Sequence, residues 1–364
     1  MSMKVLFITN LCLGNSATLP ERCHFRGLQS KGVDLTVIAH WETPESLEIE
    51  SSGINVVYLP ILKKIDFKVI RKIRAILKKD NFDIIHLTYS KAITNGLIAS
   101  RGLSIKIVAY LGSLSLHWHD PFAYLSFLNK RINKLICLSD GVEEHVLKQA
   151  PGRMKGKTIR IYKGYDPGWL KDIRPAERKN LGIPDDAFVV CCVANVRKIK
   201  GFDYLISAAD FLPENLPVWF LLVGKKSNSL RMKNMIRRTK YPDSFVTVGY
   251  TEDPLSYTSA CDLYIQPSLS EGLGRSVMEA MCLRKPVVVT DKGGAKELVS
   301  EGINGYVVPV KSAKAIAEKI NHCYQNREKL SEMGEKGREK ILNEFSPQTM
   351  IEQTFDLYKD LLEK

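Results

Sequence analysis

The feature that most restricts this chain is an alternation, run through twice, of short apolar runs with helical patterns. Seven runs come first: KVLFITN, VDLTVIAH, INVVYLP, DIIHLTY, IKIVAYL, KLICLSD and TIRIYKG. The intervals between them are long enough for crossover helices. Near-continuous apolar strands joined in this way make a parallel sheet covered on both faces. The polar, turn-rich stretch GYDPGWLKDIRPAERKNLGIPDD, from Gly164 to Asp186, then breaks the periodicity, and the domain linker is expected there. Alternation resumes with AFVVCCVAN, PVWFLLVG, FVTVGY, DLYIQPS, PVVVTD and GYVVPV. The expected fold class is α/β, with two doubly wound domains over residues 1–165 and 166–346 and a ligand cleft facing the carboxyl ends of the strands. After the last strand, the tail from Pro347 to Lys364 reads as one helix. Ser346 caps it, and Ile351, Phe355, Tyr358 and Leu362 recur along one side.

Lys and Arg outnumber Asp and Glu by 53 to 40, a formal net charge of +13. Such a balance points to polyanions: nucleic acid, anionic lipid headgroups or phosphorylated ligands. No RRM, KH or zinc-finger signature accompanies the charge, and no basic run is interleaved with aromatics, so nucleic acid is not an expected partner. The start, MSMKVLFITN, enters a strand pattern directly, and a signal peptide is not expected. No uncharged apolar run reaches the roughly 18–20 residues that cross a bilayer. The eight cysteines are scattered without a CxxC pair and are expected to be reduced core residues of a cytoplasmic protein.

The densest chemistry lies in SLSEGLGRSVMEA. A strand ending near Ser268 runs into a glycine-rich turn, and a helix is expected from Arg275 or Ser276. Gly272 and Gly274 let backbone approach a ligand, and the helix start offers unpaired N–H groups that suit phosphate. Glu271 precedes the turn and Glu279 lies about one helical turn in. Carboxylates at two such points grip a hydroxyl-rich ligand at both ends, since each accepts several hydrogen bonds.

The stretch SLSEGLGRSVMEAMCLRKPVVVTDKGGAKELVSEGINGYVVP closely resembles the donor segment of the retaining glycosyltransferases of family four, the group-one glycosyl transferases, which have the GT-B fold. The resemblance implies two Rossmann-like domains facing across a cleft, with the tail helix 347–364 returning to the first. It implies transfer of a sugar from a nucleoside diphosphate sugar to a hydroxyl acceptor with retention of configuration, in cell-surface polysaccharide, lipopolysaccharide or glycolipid synthesis. In the family the first Glu of E-x7-E contacts the transferred sugar and the second binds the ribose, roles that fall on Glu271 and Glu279. Backbone amides of Leu273, Gly274, Arg275 and Ser276 would face the diphosphate or the sugar, with Gly272 also counted to the donor site. The departure is Arg284, where relatives usually carry a small residue.

A second motif, VANVRKIKGFDYLI, places Lys200 and Gly201 ahead of an apolar helix. A lysine there adds a mobile charge to the helix dipole. Relatives pair this lysine with an arginine five residues earlier, where this chain has Asn195, and Arg197 takes its place in a shorter loop. Fixed cations stabilise charge developing on a leaving diphosphate. No DxD stands in a strand-then-loop context, so transfer without a metal or other cofactor is expected. By resemblance Tyr250 falls near the donor base and Gly14 on a loop facing the cleft. Gly112 and Ser113 leave the end of the IKIVAYL strand open, and His119 is a candidate for contact with the donor sugar. IYKGYD stands where relatives carry a hinge motif.

The segment KKIDFKVIRKIRAILKKD carries eight cations, with Phe67, Ile70, Ile73 and Leu77 at near-helical spacing. It is expected either to lie on an anionic membrane surface, as suits a lipid-linked acceptor and a peripheral location, or to pack on the sheet as a crossover helix. Alternative functions are another GT-B activity, epimerase or phosphorylase, and a polyanion-binding protein without catalysis.

Overall fold

The computed structural model describes residues 3–12 and 15–363, the side chains of 15–17 excepted. The chain forms two compact units, one of residues 1–164 with 345–364 and one of residues 165–344.

In the first unit, strands β1 (Lys4–Ile8), β2 (Asp34–Ala39), β3 (Asn55–Tyr58), β4 (Ile84–Leu87), β5 (Lys106–Leu111), β6 (Lys134–Cys137) and β7 (Thr158–Arg160) form one sheet, ordered β3-β2-β1-β4-β5-β6-β7. Every pairing is parallel. In β1, β2, β4, β5 and β6 residues on both faces are buried, while the edge strands β3 and β7 are only partly so. In β1, Leu6 and Ile8 join a core with the helices Phe67–Asp80 and Ser90–Ala99, while Val5 and Phe7 join another beneath the helices Asn15–Ser30 and Pro347–Leu362. That is why these strands read as unbroken apolar runs.

The second unit repeats the plan with β8 (Phe188–Val193), β9 (Val218–Val223), β10 (Phe245–Gly249), β11 (Leu263–Gln266), β12 (Val287–Thr290) and β13 (Gly305–Val308), ordered β10-β9-β8-β11-β12-β13 and again parallel. Both units are doubly wound, Rossmann-like domains. The strand order reverses between β1 and β4 in one and between β8 and β11 in the other, and ligands of such sheets bind where the order reverses.

The structure departs from the sequence expectations at several points. The units divide within the polar interval, after Gly164, and the rest of it, 165–186, is built into the second unit: Tyr165, Leu170 and Ile183 are buried. Within it, Arg178 donates to Asp262 Oδ1 at 2.8 Å, and Ala176 N to Ser256 O at 2.9 Å. Its two short 3-10 turns have no long apolar period, so a few anchors hold a polar stretch. The tail helix is capped by Ser346, but its buried stripe runs through Met350, Ile351, Thr354, Leu357, Tyr358 and Leu361, leaving Leu362 exposed. Phe67 is 78% exposed and Val69 takes its place on the buried side of its helix. Six cysteines are buried, whereas Cys12 is exposed and Cys23 half-buried. No helix among the described residues is long and apolar enough to cross a membrane.

Candidate functional site

The loops leaving β8 and β11, the two strands at the reversal of the second sheet, carry Lys200 and Glu271. The chain leaves β8 through a 3-10 turn, Lys198–Lys200, and enters the helix Phe202–Ala208 through Gly201 at φ 68°. A side chain at Gly201 would start 1.9 Å from Pro267 O, so only glycine lets the two loops touch. Leu269 N donates to Ile199 O at 2.8 Å and closes the same contact. Lys200 Nζ consequently sits 2.6 Å from Glu271 Oε2, both side chains being 16% exposed.

Glu271 is held from below by a chain of hydrogen bonds. Ser268 Oγ donates to Glu271 Oε2 at 3.0 Å, and Gln266 Nε2 donates to Ser268 Oγ at 2.8 Å. Ser276 Oγ and the Tyr264 hydroxyl donate to Gln266 Oε1 at 3.1 and 2.9 Å. The Thr290 hydroxyl donates to Ser268 O. The backbone of Glu271 is fixed as well: Gly294 N donates to its carbonyl at 3.0 Å, and a Cβ on Gly293, at φ 81°, would meet that oxygen at 2.0 Å. Ser268, Gln266, Tyr264, Thr290 and the Gly293–Gly294 pair are not singled out by the sequence. The GG in TDKGGA is a signal that could have pointed to such a close approach.

The helix after the glycine turn runs Arg275–Cys282 and follows Gly274. Val277 N and Met278 N both donate to Gly274 O, at 3.0 and 3.1 Å, so the amides of Arg275 and Ser276 are the ones the helix start leaves for an anion. Leu273 is buried, so of that residue only backbone can meet a ligand. Glu279 is 7% exposed and accepts from the Tyr165 hydroxyl at 3.3 Å, with Arg275 Nε 3.5 Å from the same carboxylate oxygen. Burial raises the Glu279 pKa, against the opposing pull of Arg275 and the Tyr165 hydrogen bond. Burial likewise raises the Tyr165 phenol, with Glu279 adding to it.

The remaining expected residues are more dispersed. Arg197 is exposed at the foot of the 3-10 turn. Asn195, standing where relatives carry an arginine, accepts from Lys225 N at 3.0 Å and ties the β8 loop to that after β9. Lys225 Nζ lies 5.1 Å from the ring of Tyr250, which is exposed after β10. Gly112, Ser113 and His119 belong to the first unit, after β5. Ser113 Oγ lies 2.8 Å from Ser115 Oγ, and exposed His119 stacks on His117 at 5.4 Å. Gly14 lies outside the described residues. Arg284, the departure from the family pattern, adopts φ 57° and pairs with Glu335.

At the reversal of the first sheet, between β1 and β4, there is a cavity of about 50 Å³ lined by Glu21, His24, His86, Thr88, Tyr110 and Lys163 among others. His86 Nδ1 is 2.5 Å from the Tyr358 hydroxyl. The Nε2 atoms of His24 and His86 have no hydrogen-bond partner among the described residues. Burial, with Lys163 adding, pushes the His24 imidazole down to about 3, and burial pushes His86 well below its ordinary value. Among the described residues no three His, Cys, Asp or Glu side chains converge as a candidate metal site.

Comparison with known proteins bears on the family and the fold. Residues 173–340 match the family described as Glycosyl transferases group 1, and residues 25–169 match Glycosyltransferase Family 4. The putative glycosyltransferase EpsD of Bacillus subtilis (strain 168) is 22% identical, over 98% of this chain and 97% of its own. The capsular polysaccharide biosynthesis glycosyltransferase CapM of Staphylococcus aureus is 29% identical over 53% of this chain and 51% of its own. Among solved structures, a glycosyltransferase from Rickettsia africae ESF-5 superposes with a TM-score of 0.82 at 20% identity, covering 100% of this chain and 99% of that one. Anabaena HepE in complex with UDP superposes with a TM-score of 0.80 at 23% identity, covering 98% of this chain and 100% of that one.

Proposed function

The chain belongs to the group 1 glycosyl transferases of glycosyltransferase family four and is a glycosyltransferase of the GT-B fold, and from that premise we propose that it transfers a sugar, with retention of configuration, from a nucleoside diphosphate sugar to a hydroxyl acceptor. The observation that carries the proposal is the Lys200–Glu271 pair at the strand-order reversal, beside a glycine turn and helix start that suit a diphosphate. In this reading Glu279 takes the ribose hydroxyls, the amides from Gly272 to Ser276 take the diphosphate, and Glu271 takes hydroxyls of the sugar. Tyr250 and Lys225 stand at the base end.

The ion pair gives the step an order. A diphosphate brings more negative charge to Lys200 than one carboxylate does, so it draws the ammonium away from Glu271. The freed carboxylate then accepts from the sugar hydroxyls. When the sugar–phosphate bond breaks, charge grows on the leaving phosphate, and Lys200, Arg197 and the helix-start amides stabilise it without reorganising. No divalent metal is required for this. Neither Glu271 nor Glu279 is needed as a covalent nucleophile, because the leaving oxygen itself accepts the acceptor's proton on the same face.

Relatives named for capsular polysaccharide and O-antigen biosynthesis support a growing surface glycan as acceptor. The basic first unit supports a lipid-linked acceptor presented at a membrane surface. Structures of HepE with UDP and with UDP-glucose make uridine diphosphate sugars the first donors to try. The test is a transfer assay across UDP, GDP, ADP and CMP sugars, with the anomeric configuration of the product read by NMR. A product of inverted configuration removes the retaining mechanism. Epimerised donor without any acceptor removes transfer itself.

A further inference from the structure

Packing uses up the apolar stripe of the helix Phe67–Asp80: Val69, Ile70, Ile73 and Leu77 are buried in the core. What the segment leaves outside is a second apolar set. Leu62 is 58% exposed, Ile65 38% and Phe67 78%. The loop that carries them is built, not loose. The fully buried Asn95 accepts from Asp66 N at 2.8 Å and donates to Lys63 O and Lys64 O at 3.2 and 3.1 Å. The ammonium of Lys64 lies 3.5 Å from the ring centre of Phe122, which joins the loop to the short helix Pro121–Leu125. Phe122 and Leu125 of that helix are also exposed. The same segment carries eight lysines and arginines between residues 63 and 79, with Asp66 the one acid among them. Lys63, Lys64, Lys68, Arg71 and Lys72 lie in the loop or the first turns of the helix, whereas Arg74 donates to Ala99 O and Arg101 O, and Lys78 and Lys79 lie in the last turn. Asp66 is occupied in capping the helix, accepting from Lys68 N and Val69 N at 3.1 and 3.3 Å.

We propose that the rim formed by residues 62–67 and the helix Pro121–Leu125 docks on an anionic lipid bilayer, with Leu62, Ile65, Phe67 and Phe122 entering the boundary between headgroups and acyl chains. The proposal rests on the reading of a lipid-presented acceptor and names the surface that meets it. A bilayer fits both halves of the rim: exposed apolar tips, and long cationic side chains, a residue type whose stem packs along apolar surface while its head reaches phosphate. The helix itself does not lie down as a free amphipathic element, since its stripe is committed to the core. The chain is thereby held by the tips of a rigid loop.

The test is flotation of the full chain with vesicles of phosphatidylglycerol and phosphatidylcholine, beside vesicles of phosphatidylcholine alone. The chain is expected to float with the anionic vesicles and to be released by salt. Leu62→Ser with Phe67→Ser is expected to weaken partitioning about tenfold, and Lys68→Glu with Arg71→Glu and Lys72→Glu to abolish it. Both sets lie outside the donor machinery, so binding of UDP-glucose, followed by thermal shift, should be unchanged and reports that the variants are folded. Unchanged flotation of the serine variant, or equal flotation on neutral vesicles, overturns the proposal. So does light scattering that shows the rim joining two copies of the chain, with the serine variant monomeric. If no sugar nucleotide binds and flotation behaves as described, glycosyl transfer fails as a reading and the docking surface stands. If donor binding persists and flotation is absent, the docking surface alone fails.

Discussion

The Tyr165 hydroxyl donates to Glu279 Oε1 at 3.3 Å, so the first residue of the second unit holds the carboxylate assigned to the donor ribose. Tyr165→Phe keeps the buried ring and deletes one hydrogen bond. A bond of this kind contributes about 0.5–1.5 kcal/mol, so the KM for donor should rise about three- to tenfold with little change in kcat. A fall in kcat at unchanged KM would place Tyr165 elsewhere in the mechanism.

Glu279 carries a signed pH dependence. Its pKa is raised by burial. Between the ordinary carboxylate value and the raised one, the folded chain holds a proton that the unfolded chain has released. Stability therefore falls as pH rises through that window. Donor affinity moves the other way, because a ribose hydroxyl needs the ionised carboxylate as acceptor. In Tyr165→Phe, where a contact that favours the ionised form is gone, the midpoint of donor binding should shift upward. Isothermal titration across the weakly acidic range checks this, and a midpoint that stays put would separate Tyr165 from the titration.

Glu271→Ala and Lys200→Ala should each lower kcat/KM by about 10²–10³. Lys200→Ala should act mainly through the diphosphate, so UDP affinity falls with it. Glu271→Ala should leave UDP affinity near wild type or raise it, since Lys200 loses a competing partner 2.6 Å away. Near wild-type turnover in either variant would remove that residue from the site. Turnover of wild type should also survive a chelator unchanged. Loss restored by a divalent cation would show that metal takes over part of the charge assigned to Lys200 and Arg197.

Acid should loosen the first unit. The His24 imidazole is pushed from 6.5 down to about 3, so over that interval the unfolded chain binds a proton that the folded chain refuses. Stability is full above 6.5 and is lost as pH falls toward 3, with about 5 kcal/mol as the upper limit from this one group. Thermal melting from neutral to mildly acidic pH should show a steady fall. In His24→Asn that slope should be shallower.

Most of the architecture could be read because it depends on burial. The thirteen strands lie in parallel sheets, and the central ones, buried on both faces, show as apolar runs whatever surrounds them. What escaped depends on single anchors. The interval after Gly164 looks like a linker because Tyr165, Leu170 and Ile183 are spaced by no period. Phe67 fits a helical stripe yet points outward, since the helix packs through Val69 instead. In the site, Glu271, Glu279 and Lys200 sit in contiguous motifs. The chain Ser276–Gln266–Ser268 that steadies Glu271 was invisible, because side-chain hydrogen bonds across a turn leave no spacing rule behind. Tyr165 hid for the same reason, lying 114 residues from its partner.

Tyr358 and His86 touch across 272 residues of sequence, and the whole second unit lies between them. During synthesis the seven strands of the first unit emerge before the second unit, but the helix that packs on one face of their sheet emerges only after it. The ribosome therefore delivers a finished second unit while the first still has a bare apolar flank. Nascent chains stopped before Pro347 should keep that flank open to chaperones and proteases. A nonsense codon in the helix Pro347–Leu362 is accordingly a defect of the first unit, though it is written after the whole of the second.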